Sequence, residues 1–134
     1  MEFSSIVLYW YKKNKRDFPW RKSKSVYKVW LSEIILQQTQ TSQGLSYYNK
    51  ILNTFPTLKK LSEASEEQIL KLWQGLGYYS RARNLHFTSK YIQNNLNGVF
   101  PDDYDSLLQL KGIGPYTAAA ISSICFNEKR AAVD

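Results

Sequence analysis

Residues 110–121 read LKGIGPYTAAAI, and this stretch decides the fold. Two glycines separated by one residue allow a tight turn and, because they lack side chains, a close approach of the backbone to a ligand. Leucines precede the turn and an alanine-rich apolar segment follows Pro115, so the pattern predicts two helices joined by a hairpin. The start of the second helix offers unpaired amides and the positive end of its dipole to a phosphate. A nucleic-acid backbone is the natural ligand of such a hairpin, and a simple glycine-rich turn between packed helices is the alternative.

Apolar residues elsewhere in the chain also recur with helical spacing. In the first half of the chain this spacing predicts a short helix around Leu8 and Tyr11, a helix over about Tyr27 to Gln38, and a helix over Leu45 to Phe55 that Pro56 stops. A fourth helix is predicted to start at a capping box of Ser65 and Gln68 and to end at Gly75 or Gly77. The last three predicted helices run over Leu85 to Leu96 before Gly98, from a start at Pro101 and Asp102, and from Tyr116 to about Cys125. No segment alternates apolar and polar residues as a strand does, so the sequence predicts an all-α fold.

Size and composition exclude several classes of protein. The chain has 134 residues, 43% of them hydrophobic and 15% aromatic, which excludes a disordered or low-complexity chain and fits one domain with its own core. No apolar run approaches the ~20 residues that span a bilayer, and the N-terminus lacks the pattern of a signal peptide. The single cysteine, Cys125, cannot form an internal disulfide or by itself hold a metal. We therefore expect a soluble cytoplasmic protein with no membrane partner.

The positive charge is concentrated near the N-terminus. Of the net charge of +7, residues 1–28 carry +6, and their Lys and Arg side chains alternate with aromatic ones. Phosphates attract such cations and aromatic faces stack on bases, so the segment is typical of nucleic-acid binding. A solvated basic face beside core aromatic residues explains the same pattern, and the charge alone does not decide between them.

One acidic residue lies in an apolar stretch. Glu33 is placed within VWLSEIIL at residues 29–36, and Gln37 and Gln40 share its helical stripe. Burial disfavours the charged form of a carboxyl and raises its pKa, which suits a general acid. The alternative is a structural glutamate that accepts hydrogen bonds from a helix cap or an arginine.

A second cluster, GLGYYSRAR at residues 75–83, combines tyrosines with Arg81 and Arg83. These residue types suit a loop that presents an aromatic side chain to bases and guanidinium groups to phosphates. An exposed aromatic turn with a core-facing tyrosine is the alternative. His86, the only histidine, is expected to be a packing residue, and no metal-ligand spacing, Ser-His-Asp set or phosphate-binding loop is present in the sequence.

Four segments together resemble the MutY-type adenine DNA glycosylases of the helix-hairpin-helix glycosylase superfamily: RDFPWR at 16–21, VWLSEIILQQTQT at 29–41, WQGLGYYSRARNL at 73–85 and LKGIGPYTAAAI at 110–121. The resemblance covers nearly the whole chain in order, and the LSE…LQQTQ segment is specific to the adenine branch. It implies a helical barrel that binds double-stranded DNA, flips an adenine mispaired with 8-oxoguanine or guanine out of the helix and hydrolyses its N-glycosidic bond, a step of base-excision DNA repair.

The resemblance also implies roles for individual residues. By this likeness Glu33 protonates the departing adenine and helps to activate water, Asp134 stabilises the oxocarbenium-like sugar, and Tyr116 contacts the catalytic centre. Endonuclease III-type enzymes carry a Schiff-base lysine at the position of Tyr116, so the resemblance implies that a lyase mechanism lacks its nucleophile here. The other implied site residues are Gln38 and Tyr78, inserted into the duplex, Trp20, Arg21 and Leu36 at the adenine pocket, and Lys111, Gly112 and Gly114 at the DNA backbone.

Members of that family continue beyond the residue matched by Asp134. The continuation completes the barrel, supplies four cysteines for a [4Fe-4S] cluster and adds a domain that inspects 8-oxoguanine. The resemblance therefore implies an N-terminal part of a longer protein, incomplete as a barrel and with no cofactor of its own. Residues 1–25 would pack on the remainder, 26–134 would form the glycosylase core, and surface left uncovered would favour self-association. The expected function is adenine excision, inactive or impaired in this chain alone, and the alternative is a helix-hairpin-helix DNA-binding module that performs no chemistry.

Overall fold

The computed structural model describes residues 25–37 and 41–126, and within these ranges every regular element is a helix. The helices are α1 Val26–Leu36, α2 Thr41–Thr54, α3 Leu58–Glu63, α4 Glu66–Trp73, α5 Tyr79–Asn95, α6 Tyr104–Leu108 and α7 Pro115–Phe126. For this part of the chain the all-α prediction is confirmed. None of these helices is long and apolar enough to cross a membrane. The helix predicted around Leu8 and Tyr11 lies outside the described residues.

Helix α1 forms the centre of the core. Ser25 caps its first turn by accepting a hydrogen bond from the backbone N–H of Lys28, and every residue from Val29 to Leu36 is buried. The helix packs against α2, α5 and α7, and the Trp30 ring meets Phe100 edge-on with 5.3 Å between ring centroids. The apolar helix predicted over about 27–38 is confirmed, with an end near residue 36. Because α1 is buried on several sides, its own residues are apolar around nearly the whole helix and not along one stripe alone.

The first half of the chain follows the predicted pattern with one omission. Helix α2 ends at Thr54, just before Pro56, as expected. The capping box is present: Ser65 Oγ accepts from the Gln68 N–H at 3.1 Å and Gln68 Oε1 accepts from the Ser65 N–H at 2.9 Å. Helix α3 was not predicted, because its six residues are too few to show a helical period.

The second half ends in the predicted pair of helices around a hairpin. Helix α5 starts at Tyr79, earlier than the apolar period indicates, and ends before Gly98 as expected. Asp103 caps α6 through the N–H of Ser106, so this helix opens slightly later than predicted. Helices α6 and α7 pack together and flank the glycine-containing turn. The predicted helix-hairpin-helix is therefore present.

Candidate nucleic-acid interface and active site

The proposed acid sits deep in α1. Glu33 is only 6% exposed, with buried Ser32 and Ile34 beside it. One turn further on, Gln37 donates from Nε2 to Thr117 Oγ1 at 3.0 Å, which ties the end of α1 to the first turn of α7. Tyr116, the neighbour of Thr117, is half-buried at the same helix start. The structure thus brings the helix of Glu33 and the helix of Tyr116 into direct contact.

The hairpin between α6 and α7 is anchored from both sides. Leu110 and Ile113 are buried, and the Ile113 N–H donates to the Leu110 carbonyl at 3.2 Å. Thr88 on α5 donates from Oγ1 to the Lys111 carbonyl at 2.6 Å, which holds the turn against α5. The Lys111 ammonium lies over the exposed Phe87 ring, 5.1 Å from its centroid.

The two hairpin glycines have different reasons for being glycine. Gly112 has φ +84°, and a Cβ there would lie 3.0 Å from Asn84 Cβ, so both its dihedral and its packing require glycine. Gly114 has no positive φ, and a Cβ there would meet nothing within 4 Å among the described residues. The unusual dihedral expected of this turn is therefore confined to Gly112, while Gly114 leaves the approach to the start of α7 open.

An exposed tyrosine opens α5. Tyr78 adopts the left-handed conformation at φ 51° and ψ 60° and is 63% exposed. Non-glycine residues pay a steric cost in that region, and such strain persists only where the surroundings fix it. The surroundings here are the Gly75–Gly77 turn: the Gly77 carbonyl accepts from Trp73 Nε1 at 3.0 Å, and Tyr79 OH accepts from the Gly75 N–H at 3.2 Å.

The two arginines of this cluster differ from the expectation that both present guanidinium groups to phosphates. Arg83 is exposed and pairs with Glu66 at 3.7 Å on the surface. Arg81 turns inward and donates to backbone carbonyls at the end of α1 and in the turn before Tyr78. The prediction for Arg81 is therefore wrong, because its guanidinium already donates hydrogen bonds to four carbonyl oxygens instead of facing a phosphate. Burial also lowers the pKa of this guanidinium.

Three segments converge around a small cavity. Its volume is about 90 Å³, and it lies where α1, α5 and the hairpin meet. The lining residues are Trp30, Ile34, Gln37, Arg81, Asn84, Leu85, Lys111 and Gly112. The segments that carry Glu33, Tyr78 and the hairpin glycines are thus neighbours in space, although 33 and 114 are far apart in sequence.

The remaining predicted site residues divide into two groups. Leu36 is buried at the end of α1, and its role at an adenine pocket stays a prediction. Gln38, Trp20, Arg21 and Asp134 lie outside the described residues, as does most of the basic segment. Sequence reasoning missed the inward role of Arg81 and the bond between Gln37 and Thr117, because both depend on partners distant in sequence.

His86 is a packing residue, as predicted. It is buried on α5 with Nε2 2.8 Å from the Ala64 carbonyl, and burial lowers its pKa. The described residues contain no cluster of three or more His, Cys, Asp or Glu side chains that could hold a metal ion. A [4Fe-4S] cluster takes four cysteine thiolates, and the 134 residues supply only Cys125, so these residues do not fit that cofactor.

Comparison with known proteins agrees with the helix-hairpin-helix fold. Residues 31–134 match the HhH-GPD superfamily of base excision DNA repair proteins, and the chain belongs to this family. The adenine DNA glycosylase of Buchnera aphidicola subsp. Acyrthosiphon pisum is 44% identical over 126 residues, which are 93% of this chain and 36% of that protein. The human adenine DNA glycosylase is 41% identical over 98% of this chain and 26% of its own length. The chain thus spans about a third or less of these relatives.

Solved structures show the same fold. A thermostable thymine-DNA glycosylase superposes with a TM-score of 0.81 at 28% identity, over 98% of this chain and 61% of that one. Endonuclease III trapped as a covalent intermediate with DNA superposes with a TM-score of 0.76 over 82% of this chain and 52% of that one. At 22% identity, this second likeness concerns the fold alone.

Proposed function

We propose that this chain is the part of an adenine DNA glycosylase that binds duplex DNA, receives the flipped base and carries the acid for its excision. The observation that carries the proposal is Glu33, a carboxylic acid buried in α1, whose helix is bonded to the start of α7 beside the hairpin. The similarity to adenine DNA glycosylases over nearly the whole chain supports the choice of adenine.

The hairpin and Tyr78 are proposed to contact the DNA. The open approach at Gly114 suits a phosphate that comes close to the amides at the start of α7, and Lys111 adds a cation nearby. The exposed ring of Tyr78 suits insertion between bases, where stacking on an aromatic side chain contributes about 1–3 kcal/mol per base. Gln38 is proposed to insert into the duplex near the 8-oxoguanine as well.

The proposed chemistry is hydrolysis of one bond. The glycosidic bond between adenine and C1′ of the sugar breaks, the bond electrons leave with adenine, and Glu33 supplies the proton that neutralises it. Asp134 is proposed to stabilise the positive charge that develops on the sugar, and water adds to C1′ as its proton passes to the Glu33 carboxylate left by the first step. Tyr116 cannot form a Schiff base as a lysine does, so water is the proposed nucleophile.

The partner is therefore proposed to be duplex DNA with adenine opposite 8-oxoguanine or guanine, and the place of action chromosomal DNA in the cytoplasm. The iron-sulfur cluster that the resemblance implies would be held by residues other than these. Segments outside residues 1–134 are proposed to complete the barrel and to share the recognition of 8-oxoguanine.

A single-turnover assay on three duplexes tests this proposal. They carry adenine opposite 8-oxoguanine, adenine opposite thymine, and thymine opposite guanine, and they are incubated with this chain and with the chain extended to the full length of its Buchnera relative. We expect adenine release from the first duplex alone, at least by the extended chain. Release of thymine instead would overturn the substrate, and tight binding without release in both forms would indicate a non-catalytic DNA-binding module.

A further inference from the structure

Arg81 contacts a segment that lies 44 to 47 positions earlier in the sequence and, at the same time, the turn just before its own helix. Its Nη1 donates to the carbonyls of Ile34 at 3.0 Å and Ile35 at 3.3 Å, and also to the Gln37 carbonyl. Its Nη2 donates to the Gly77 carbonyl at 3.3 Å. One guanidinium therefore joins the end of α1 to the turn that precedes Tyr78.

The chemistry of a helix end explains the first set of contacts. The last four carbonyls of a helix have no partner within it, and a cation there also interacts favourably with the dipole. Helix α1 has no basic residue in its own last turn, so Arg81 supplies the cation from α5. The planar fork of arginine can serve several carbonyls at once, which a lysine ammonium on its flexible stem does less well.

The second set of contacts fixes the exposed tyrosine. The Arg81 guanidinium carbon lies 5.2 Å from the centroid of a Trp73 ring and 5.7 Å from that of Tyr78. The Gly77 carbonyl accepts from both the Trp73 indole and the Arg81 guanidinium, while the backbone N–H of Arg81 separately donates to the Tyr78 carbonyl at 3.0 Å. These contacts oppose relaxation of Tyr78 out of its left-handed conformation.

We propose that Arg81 is a positioning residue that holds the Tyr78 ring and the end of α1 in one fixed geometry, so that both meet the duplex together. The proposal rests on the proposed function, since it concerns the same DNA-facing surface. Arg81 itself points inward and touches no substrate. Its effect is on how far the Tyr78 ring enters and distorts the bound duplex, and affinity falls only by the stacking that the ring then fails to make.

A second cation on the same helix provides a matched control. Lys90, also on α5, donates from Nζ to the Ser62 carbonyl at 2.9 Å and so satisfies a carbonyl near the end of α3. Lys90 is exposed and serves one carbonyl where Arg81 serves four, so its loss should cost less stability than the loss of Arg81. Lys90 makes no contact with the Tyr78 turn or with α1 among the described residues, so its loss removes a helix-end cation without disturbing the proposed surface.

The experiment compares the parent with Arg81→Met, Arg81→Lys and Lys90→Met, all in the chain extended to the full length of its Buchnera relative. The duplex carries adenine opposite 8-oxoguanine and 2-aminopurine next to the mispair, whose fluorescence rises when its base unstacks. Fluorescence anisotropy of a labelled duplex gives the affinity, and urea unfolding gives stability. We expect the 2-aminopurine increase at saturation to fall to less than half in Arg81→Met, with the affinity reduced by no more than the loss of the Tyr78 ring itself would cost. Lys90→Met should lose less stability than Arg81→Met and keep the full fluorescence increase.

Arg81→Lys keeps the charge and most of the packing, so it remains informative if Arg81→Met fails to fold. Its fluorescence increase should also be reduced, because one ammonium cannot serve both segments. A full increase in the folded Arg81 variants, or an equal loss in Lys90→Met, overturns the positioning role and leaves the proposed function standing. An extended parent that binds the mispaired duplex without unstacking the probe overturns the proposed function, and the role of Arg81 with it.

Discussion

Gln37 and Thr117 are 80 positions apart in the sequence, and the 3.0 Å hydrogen bond from Gln37 Nε2 to Thr117 Oγ1 joins the end of α1 to the beginning of α7. Glu33 lies one helical turn before Gln37, and Tyr116 directly precedes Thr117. This bond therefore sets the position of the proposed acid relative to the helix that follows the hairpin.

The first prediction concerns that bond. Thr117→Val keeps the shape of a buried side chain but removes the acceptor, so the free energy of unfolding should fall by about 1 kcal/mol, the usual net contribution of one hydrogen bond. Urea unfolding of Thr117→Val, Gln37→Leu and the double variant forms a double-mutant cycle. The two effects should couple, with the double variant losing less than the sum. Strict additivity would show that the bond contributes nothing.

The hairpin glycines should respond differently to alanine. Gly112→Ala places a Cβ on a residue with a left-handed backbone and against Asn84, so the free energy of unfolding should fall by about 1–3 kcal/mol. Gly114→Ala meets open space, and its stability should stay within about 0.5 kcal/mol of the parent. Its affinity for duplex DNA should nevertheless fall, since each amide–phosphate hydrogen bond lost costs about 1.5–3 kcal/mol. Urea unfolding and DNA anisotropy measure the two effects, and undiminished affinity of Gly114→Ala would place the DNA elsewhere.

A third prediction separates folding from function at Tyr78. Asparagine adopts the left-handed conformation of residue 78 more readily than other residues do. The substitution also removes the cation–π contact with Arg81, which contributes about 0.5–1 kcal/mol at an exposed site. Because these two effects oppose each other, the stability of Tyr78→Asn should be nearly unchanged. Its affinity for the mispaired duplex should drop by about 1–3 kcal/mol if the ring stacks on a base.

Tyr91→Asn is the control for Tyr78→Asn. Tyr91 is likewise exposed, on α5 and more than three turns further along the helix. Its substitution should leave DNA affinity unchanged. Equal losses in the two variants would mean that any exposed tyrosine of this region contributes, and the specific role of Tyr78 would be contradicted.

The fourth prediction is a dependence of stability on pH through His86. Burial lowers its pKa in the folded chain, so the unfolded chain, with its ordinary pKa near 6.5, takes up the proton more readily. The contribution of neutral His86 to the free energy of unfolding is therefore fully present above about pH 6.5, and it is lost as the pH falls towards the lower pKa of the folded chain. Since His86 is the only histidine, urea midpoints between pH 7.5 and 5.5 should decline in the parent and stay nearly flat in His86→Gln. An equal decline in both would assign the effect to other groups.

The sequence alone predicted the features that short-range patterns encode. The apolar period located α1, the spacing of Ser65 and Gln68 located the start of α4, and the glycines located the hairpin. Helix α3 escaped because six residues are too few to show a period, and it forms where its apolar side packs on α5.

Side-chain direction was beyond the reach of such patterns. Arg81 was expected to face phosphates, but carbonyls of α1, more than forty positions earlier, turn it inward. The role of Gly114 likewise depends on the space around it, which no local pattern reports. The burial of Glu33 was predictable because its apolar neighbours surround it in sequence as well as in space.

The central claim is that Glu33 supplies the proton for adenine release, and base excision under single-turnover conditions tests it most directly. The parent, Glu33→Gln and the control Glu63→Gln, an exposed glutamate at the end of α3, are compared in the chain extended to the length of its relatives. Positioned proton transfer contributes about 100-fold or more, so Glu33→Gln should lose at least that factor while binding the mispaired duplex as the parent does. Glu63→Gln should match the parent. Adenine release by Glu33→Gln within about tenfold of the parent rate would contradict the account, since an amide cannot supply the proton.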